Sequence, residues 1–244
     1  MRKDMLFRLI LIVILVGAGY FVVRPFLHTA PSTTSTTSIT GSTQNTASIL
    51  PVNETIAAAN INSATNTVTT SSVKTVVLPM SNFYGRVTKK PFGIYITPRT
   101  SPIQPEKFTG YHTGADAETT SAEAKKDVVI SSVAAGTVVF AGHVNGYGGV
   151  IMIRSTVGKE TVTILYGHLR ISSFKVKKGQ SVKVGAHIAV LGTGYSSETD
   201  GERKHLHLGI IKGAVINYKG YVQQKSQLSS WDNPVAWLKA HGAS

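Results

Sequence analysis

The chain has 244 residues, 42% of them hydrophobic, and no cysteine. That leaves room for one sizeable domain with extensions, and it excludes disulfides and thiolate metal sites, so any metal has to be held by His, Asp or Glu. The formal net charge is +13, of which residues 1–75 contribute +3 and the remainder +10; the folded part is basic in its own right and favours polyanions, while the lack of any nucleic-acid motif or aromatic-interleaved basic run argues against nucleic acid as a partner.

Residues 9–23 form an uncharged apolar run, preceded by Arg2, Lys3 and Arg8 and followed by Arg24. The run approaches the roughly 20 residues of a membrane span if the flanking arginines snorkel. More basic residues in front than behind predict a cytoplasmic N-terminus and an exported remainder. The expected organisation is therefore a transmembrane signal-anchor over 1–28, favoured over a cleaved signal peptide because bulky Tyr20 to Val23 continue the run. From residue 29 to 75, 22 of 47 residues are Ser or Thr, and only Glu54 and Lys74 are charged. Such a segment reads as a flexible tether with a span of roughly 40 Å.

From residue 76 to 244 short apolar runs alternate with glycine-bearing turns: "DVVISSV", "GTVVFAG", "GGVIMIRS", "ETVTILYG", "HIAVLG" and "HLHLGII". With hairpin signals at Asn145-Gly146 and Lys178-Gly179 they predict a mainly β, antiparallel domain. The one helical segment expected is "NPVAWLKA", with Pro234 suited to a first turn.

Within this domain three stretches carry chemistry. "GYHTGADAE" holds His112 and Asp116, and Gly110 and Gly114 suggest a loop around them. "ILYGHLR" ends a strand whose alternation would put Ile164, Tyr166 and His168 on one face. In "RKHLHLGI" the same alternation gives His205 and His207 one face, open to a groove or solvent, and Leu206 and Leu208 the core. Paired imidazoles suit a metal, or a metal ligand beside a proton carrier.

Taken in order, His112-x-x-x-Asp116, Tyr166-Gly167-His168-Leu169 and His205-Leu206-His207 resemble the lysostaphin/LytM-type zinc endopeptidases of the bacterial cell wall. "PFGIYI", "AAGTVVFAGHVNGYGGVIMI", the glycine-punctuated strand pair "VKKGQSVKVGAHIAVLG" and "WDNPVAWL" extend the resemblance over residues 92–238. It implies a small lysostaphin-like β domain with a duplicated hybrid motif. It implies Zn²⁺ held by His112, Asp116 and His207, with His168 and His205 in catalytic roles. It also implies hydrolysis of peptide cross-links in peptidoglycan, outside the cytoplasm, with anionic wall polymers attracted by the positive charge. A catalytic zinc keeps three protein ligands and an open position, which this division of the five residues respects.

Two other readings stand beside it. LytM-like domains also serve as non-hydrolytic envelope factors that activate other wall hydrolases. "VKKGQSVKVGAHIAVLG" is similar to lipoyl or biotinyl carrier hairpins, but the neighbours of Lys178 do not match. The stretch "GYSSETDGERK" before His205 is longer and more charged than the family's usual small-residue run, which puts substrate preference in question. Arg203 and Lys204 stand either as groove-lining cations or as surface charge; His28, His143, His187 and His241 match no site position.

Overall fold

A computed structural model describes residues 74–244. The expected anchor (1–28) and the tether, up to residue 73, lie outside the described residues. Among the described residues no helix is long and apolar enough to cross a membrane.

The strands follow the alternating runs. In chain order they are β1 (Tyr95–Ile96), β2 (Gly110–His112), β3 (Ala115–Glu118), β4 (Val129–Ser131), β5 (Gly136–Val144), β6 (Gly148–Val157), β7 (Glu160–Leu169), β8 (Ser181–Val182), β9 (His187–Val190), β10 (His205–Lys212), β11 (Tyr221–Val222) and β12 (Trp231–Asp232). All pairings are antiparallel, as expected. The main sheet runs β12-β10-β7-β6-β5-β8, with β3 added against β10; β1-β2-β11 and β4-β9 form two smaller sheets. The helices are short: α1 (Phe83–Arg86), which the sequence did not announce, and α2 (Pro234–Ala240), which it did. Asn233 caps α2 by accepting from the Val235 and Ala236 amides, the usual remedy for unpaired N–H groups at a helix start.

Both faces of the central strands are covered. Ile151, Ile153, Ile164, Tyr166, Leu206, Leu208 and Ile210 belong to one apolar cluster. Val150, Met152, Leu165 and Ile211, their neighbours in sequence, belong to a second cluster with Tyr147 and Trp231. A strand buried on both sides reads as an unbroken apolar run, which explains "GGVIMI" on β6.

Two expectations need correction. Asn145-Gly146 does turn β5 into β6, but Lys178-Gly179 closes no hairpin, and "VKKGQSVKVGAHIAVLG" is not a strand pair. β8 pairs with β5 and β9 with β4, because the turn at Gly185, with φ of 73°, sends the chain from one sheet to another.

Candidate metal centre

His112, Asp116 and His207 come from three strands in two sheets. His112 ends β2, and a two-residue turn leads into β3, which carries Asp116. The expected loop is therefore two strand ends. Gly114 is required by close approach: a methyl group there would lie 2.5 Å from Nε2 of His207. In the β3–β10 ladder Asp116 stands opposite His207 and Glu118 opposite His205.

Three atoms form a nearly equilateral triangle. His112 Nε2 lies 3.0 Å from His207 Nδ1 and 3.2 Å from Asp116 Oδ1; His207 Nδ1 lies 3.1 Å from the same oxygen. The far side of the His112 ring fixes its proton. His112 Nδ1 faces the Pro91 carbonyl at 3.3 Å, which can only accept, so Nδ1 donates and a neutral ring leaves Nε2 bare. Nε2 of His207 lies 3.3 Å from the Tyr147 hydroxyl, which accepts as readily as it donates; in the tautomer with the proton on Nε2, Nδ1 is bare.

In that tautomer the triangle holds three lone-pair atoms and no hydrogen. Such an arrangement repels itself unless a cation sits among the three. Tetrahedral zinc with ligands at 2.0–2.1 Å needs ligand separations of about 3.3 Å, close to those observed. The donor set, two imidazoles and a carboxylate, suits zinc as well, and these three residues can converge on one ion.

Protonation favours the same state. Burial alone would raise the Asp116 carboxyl, but His205 and His112 outweigh it and hold it well below the usual carboxylate range. Burial pushes His207 down to about 4. At neutral pH Asp116 is therefore ionised and His207 neutral.

His168 and His205 complete the cluster, their ring centroids 4.2 Å apart. His205 donates from Nδ1 to the Arg203 carbonyl at 2.8 Å, and its Nε2 lies 3.2 Å from Asp116 Oδ2. His168 is held neutral, first by burial and then by repulsion from His205; its Nδ1 is buried without a hydrogen-bond partner.

The position of His168 corrects a simple strand reading. Ile164 and Tyr166 point into the first cluster, and regular alternation would send His168 there too. Its φ of 62° breaks the alternation and turns the ring toward Tyr147, 5.3 Å away. Left-handed backbone at a non-glycine residue is uncommon and gathers at functional sites.

Asp116, His168, His205 and His207 line a cavity of about 110 Å³ that Lys90, Tyr147, Arg203 and Tyr221 also line; His112 lies behind it, in contact with Asp116 and His207. His205 and His207, expected to face a groove or solvent, line this partly open cavity and are only 2% and 4% exposed. Three loops are tied over it. Lys107 Nζ donates to the Asp200 carbonyl at 2.9 Å, and Asp200 Oδ2 accepts from the Gly146 amide at 2.5 Å.

Several neighbours escaped sequence reasoning. Tyr147 stays protonated because burial and the Asp116 charge both raise it; its place between glycines in "NGYGG" was the available signal. Lys90, fully buried, pairs with Glu106 at 2.5 Å and donates to the Tyr221 hydroxyl at 3.2 Å, and no spacing pattern announces that pair. Arg203 and Lys204 are not surface charges: Arg203 contacts Asp116 and Glu118, and Lys204 donates to the Glu123 and Lys126 carbonyls. Among the described residues His143, His187 and His241 line no part of the cavity.

Residues 110–222 match the sequence model of peptidase family M23. A protein of Haemophilus influenzae described as uncharacterized is 38% identical over 96 residues, covering 38% of this chain. The chain spans only 21% of that relative's length. Among solved structures, the chain is similar to the catalytic domain of the antimicrobial peptidase lysostaphin from Staphylococcus simulans, at 22% identity and a TM-score of 0.45, over 66% of this chain and 99% of that one. It is also similar to LytU, at 24% identity and a TM-score of 0.43, over 64% and 85% of the two chains.

Proposed function

Because residues 110–222 belong to peptidase family M23, we propose that the protein is a zinc endopeptidase that hydrolyses peptide cross-links in bacterial peptidoglycan. The observation that carries this reading is the triangle of bare donor atoms on His112, Asp116 and His207. These three residues would hold the ion. Zinc, when bound, supplies Lewis acidity, acidifying water and polarising a carbonyl oxygen.

The chain's own groups supply the rest. His168, neutral and with a ring nitrogen free of protein partners, is suited to receive the proton of the attacking water. His205, pinned by the Arg203 carbonyl and facing Asp116, is positioned beside it to pass a proton to the leaving amine. The Tyr147 hydroxyl, protonated at all working pH values, orients His207 and offers a further hydrogen bond in the cavity. The positive balance beyond residue 75 favours an anionic wall matrix. Residues 1–28 would anchor the protein in the membrane and 29–75 would tether the domain in the envelope outside it.

The test is release of soluble fragments from purified cell wall. Loss of release with a chelator and recovery with zinc is expected; release indifferent to chelator defeats the proposal. The small cavity and the tied loops favour a second reading, a LytM-like factor that binds the wall and activates another hydrolase. Zinc uptake without fragment release, together with stimulation of a partner hydrolase, would select it.

A further inference from the structure

The buried guanidinium of Arg203 is unexplained by the five residues above. It is 6% exposed and stands between two carboxylates. Nη2 donates to Asp116 Oδ2 at 3.0 Å, while Nε and Nη2 grip Glu118 at 2.9 Å and 2.5 Å. Nη1 is buried with no partner. Burying such a cation with one N–H group unsatisfied is costly, and an apolar side chain would fill the place more cheaply.

The strand register accounts for the arrangement. Asp116 and Glu118 are two apart on β3 and so share a face; Arg203 lies two residues before His205, just beyond the start of β10, where His205 stands opposite Glu118. The arginine folds back across the end of the ladder to reach both carboxylates. Asp116 is thereby divided: Oδ1 faces the two ligand nitrogens, and Oδ2 faces Arg203 and His205. Without the guanidinium nothing but the His205 ring would keep Oδ2 from turning in beside Oδ1.

We propose that Arg203, itself held by Glu118, is a positioning residue that confines Asp116 to one ligand oxygen and so sets the affinity and coordination number of the metal site. The inference rests on the zinc reading above. A fork of fixed geometry suits this role, because an ammonium is a point charge on a flexible stem and does not fix the orientation of the carboxylates it meets.

The experiment uses the full chain, with zinc and, separately, cobalt(II) as the only added metal. Dissociation constants are read by competition with a chromophoric chelator, and coordination number from the visible absorption of the cobalt(II) form. Arg203→Met is expected to weaken zinc binding by about 10- to 100-fold and to lower the cobalt absorption as a fifth ligand atom joins. Arg203→Lys recovers part of the loss. Glu118→Gln, which keeps the contact to Asp116 but slackens the fork, shows the same change in smaller degree and decides the matter should Arg203→Met fail to fold. Tight zinc binding with an unchanged cobalt spectrum in the folded variants overturns the clamp alone. An unmodified chain that takes up no zinc overturns the zinc reading, and the clamp with it.

Discussion

The two faces of β10 do different work with the same eight residues. Leu206, Leu208 and Ile210 lie in the first apolar cluster, fully buried. His205 and His207, interleaved with them, line the cavity. On the apolar face, contacts are many and interchangeable, and a loss scales with the area uncovered. On the other face each atom has one or two partners at fixed distance, and a loss is all or nothing. Strand alternation lets one element carry both kinds of demand without mixing them, and it predicts that damage on one face should leave the other largely intact.

The sharpest way to break that separation is His207→Ala. Zinc retention should vanish and wall cleavage should fall by at least about 10³-fold, while the denaturation midpoint of the metal-free chain stays close to that of the parent. Atomic emission on the dialysed protein, with fragment release, checks it; zinc-dependent cleavage by this variant would remove His207 from the site. On the opposite face, Leu208→Ala should cost about 2–5 kcal/mol in urea unfolding with zinc affinity at low temperature unchanged. A large loss of affinity in the folded variant would mean that the two faces are coupled.

Tyr147→Phe probes the border between them, since Tyr147 belongs to the second apolar cluster yet touches His207. Removing one hydroxyl should leave the fold intact and weaken zinc binding by roughly tenfold, read by chelator competition. The smallest effect is expected away from both faces, at Arg86 and Glu123, 2.7 Å apart. The hydrogen bond from Arg86 is the main reason that the Glu123 carboxyl is lowered to about 2. A folded-state value below the unfolded one means that the pair stabilises at neutral pH, and that this contribution is lost as pH falls from about 4.5 toward 2. Partly exposed, the pair is worth under about 1 kcal/mol. Glu123→Gln should flatten that limb of the stability–pH curve and leave zinc binding unaltered.

The separation of faces was legible in the sequence because alternation with period two is a local property. "HLHLGII" announced both the leucine core and the paired histidines, and apolar runs broken by glycine announced most of the strands. What escaped were outcomes decided at a distance. One backbone angle at His168 overrides the alternation of its strand. Gly185 deals β8 and β9 to different sheets although their sequences read as a pair. The contact of Arg203 with Asp116 joins segments nearly ninety positions apart, and burial of the histidines depends on β3, β7 and β10 meeting in one sheet. The convergence of His112, Asp116 and His207 was expected from a family resemblance, not from spacing; only the folded chain brings their bare nitrogens and oxygen together.

The left-handed backbone at position 168 has a practical consequence. Asparagine and glycine enter that region at little cost, whereas valine or isoleucine resist it. His168→Asn should therefore preserve the architecture and the His112–Asp116–His207 triangle while removing the imidazole to which the proposed function gives the water proton. If the proposed function holds, a chain so altered engages peptidoglycan without cutting it and serves as bait for recovering the intact material.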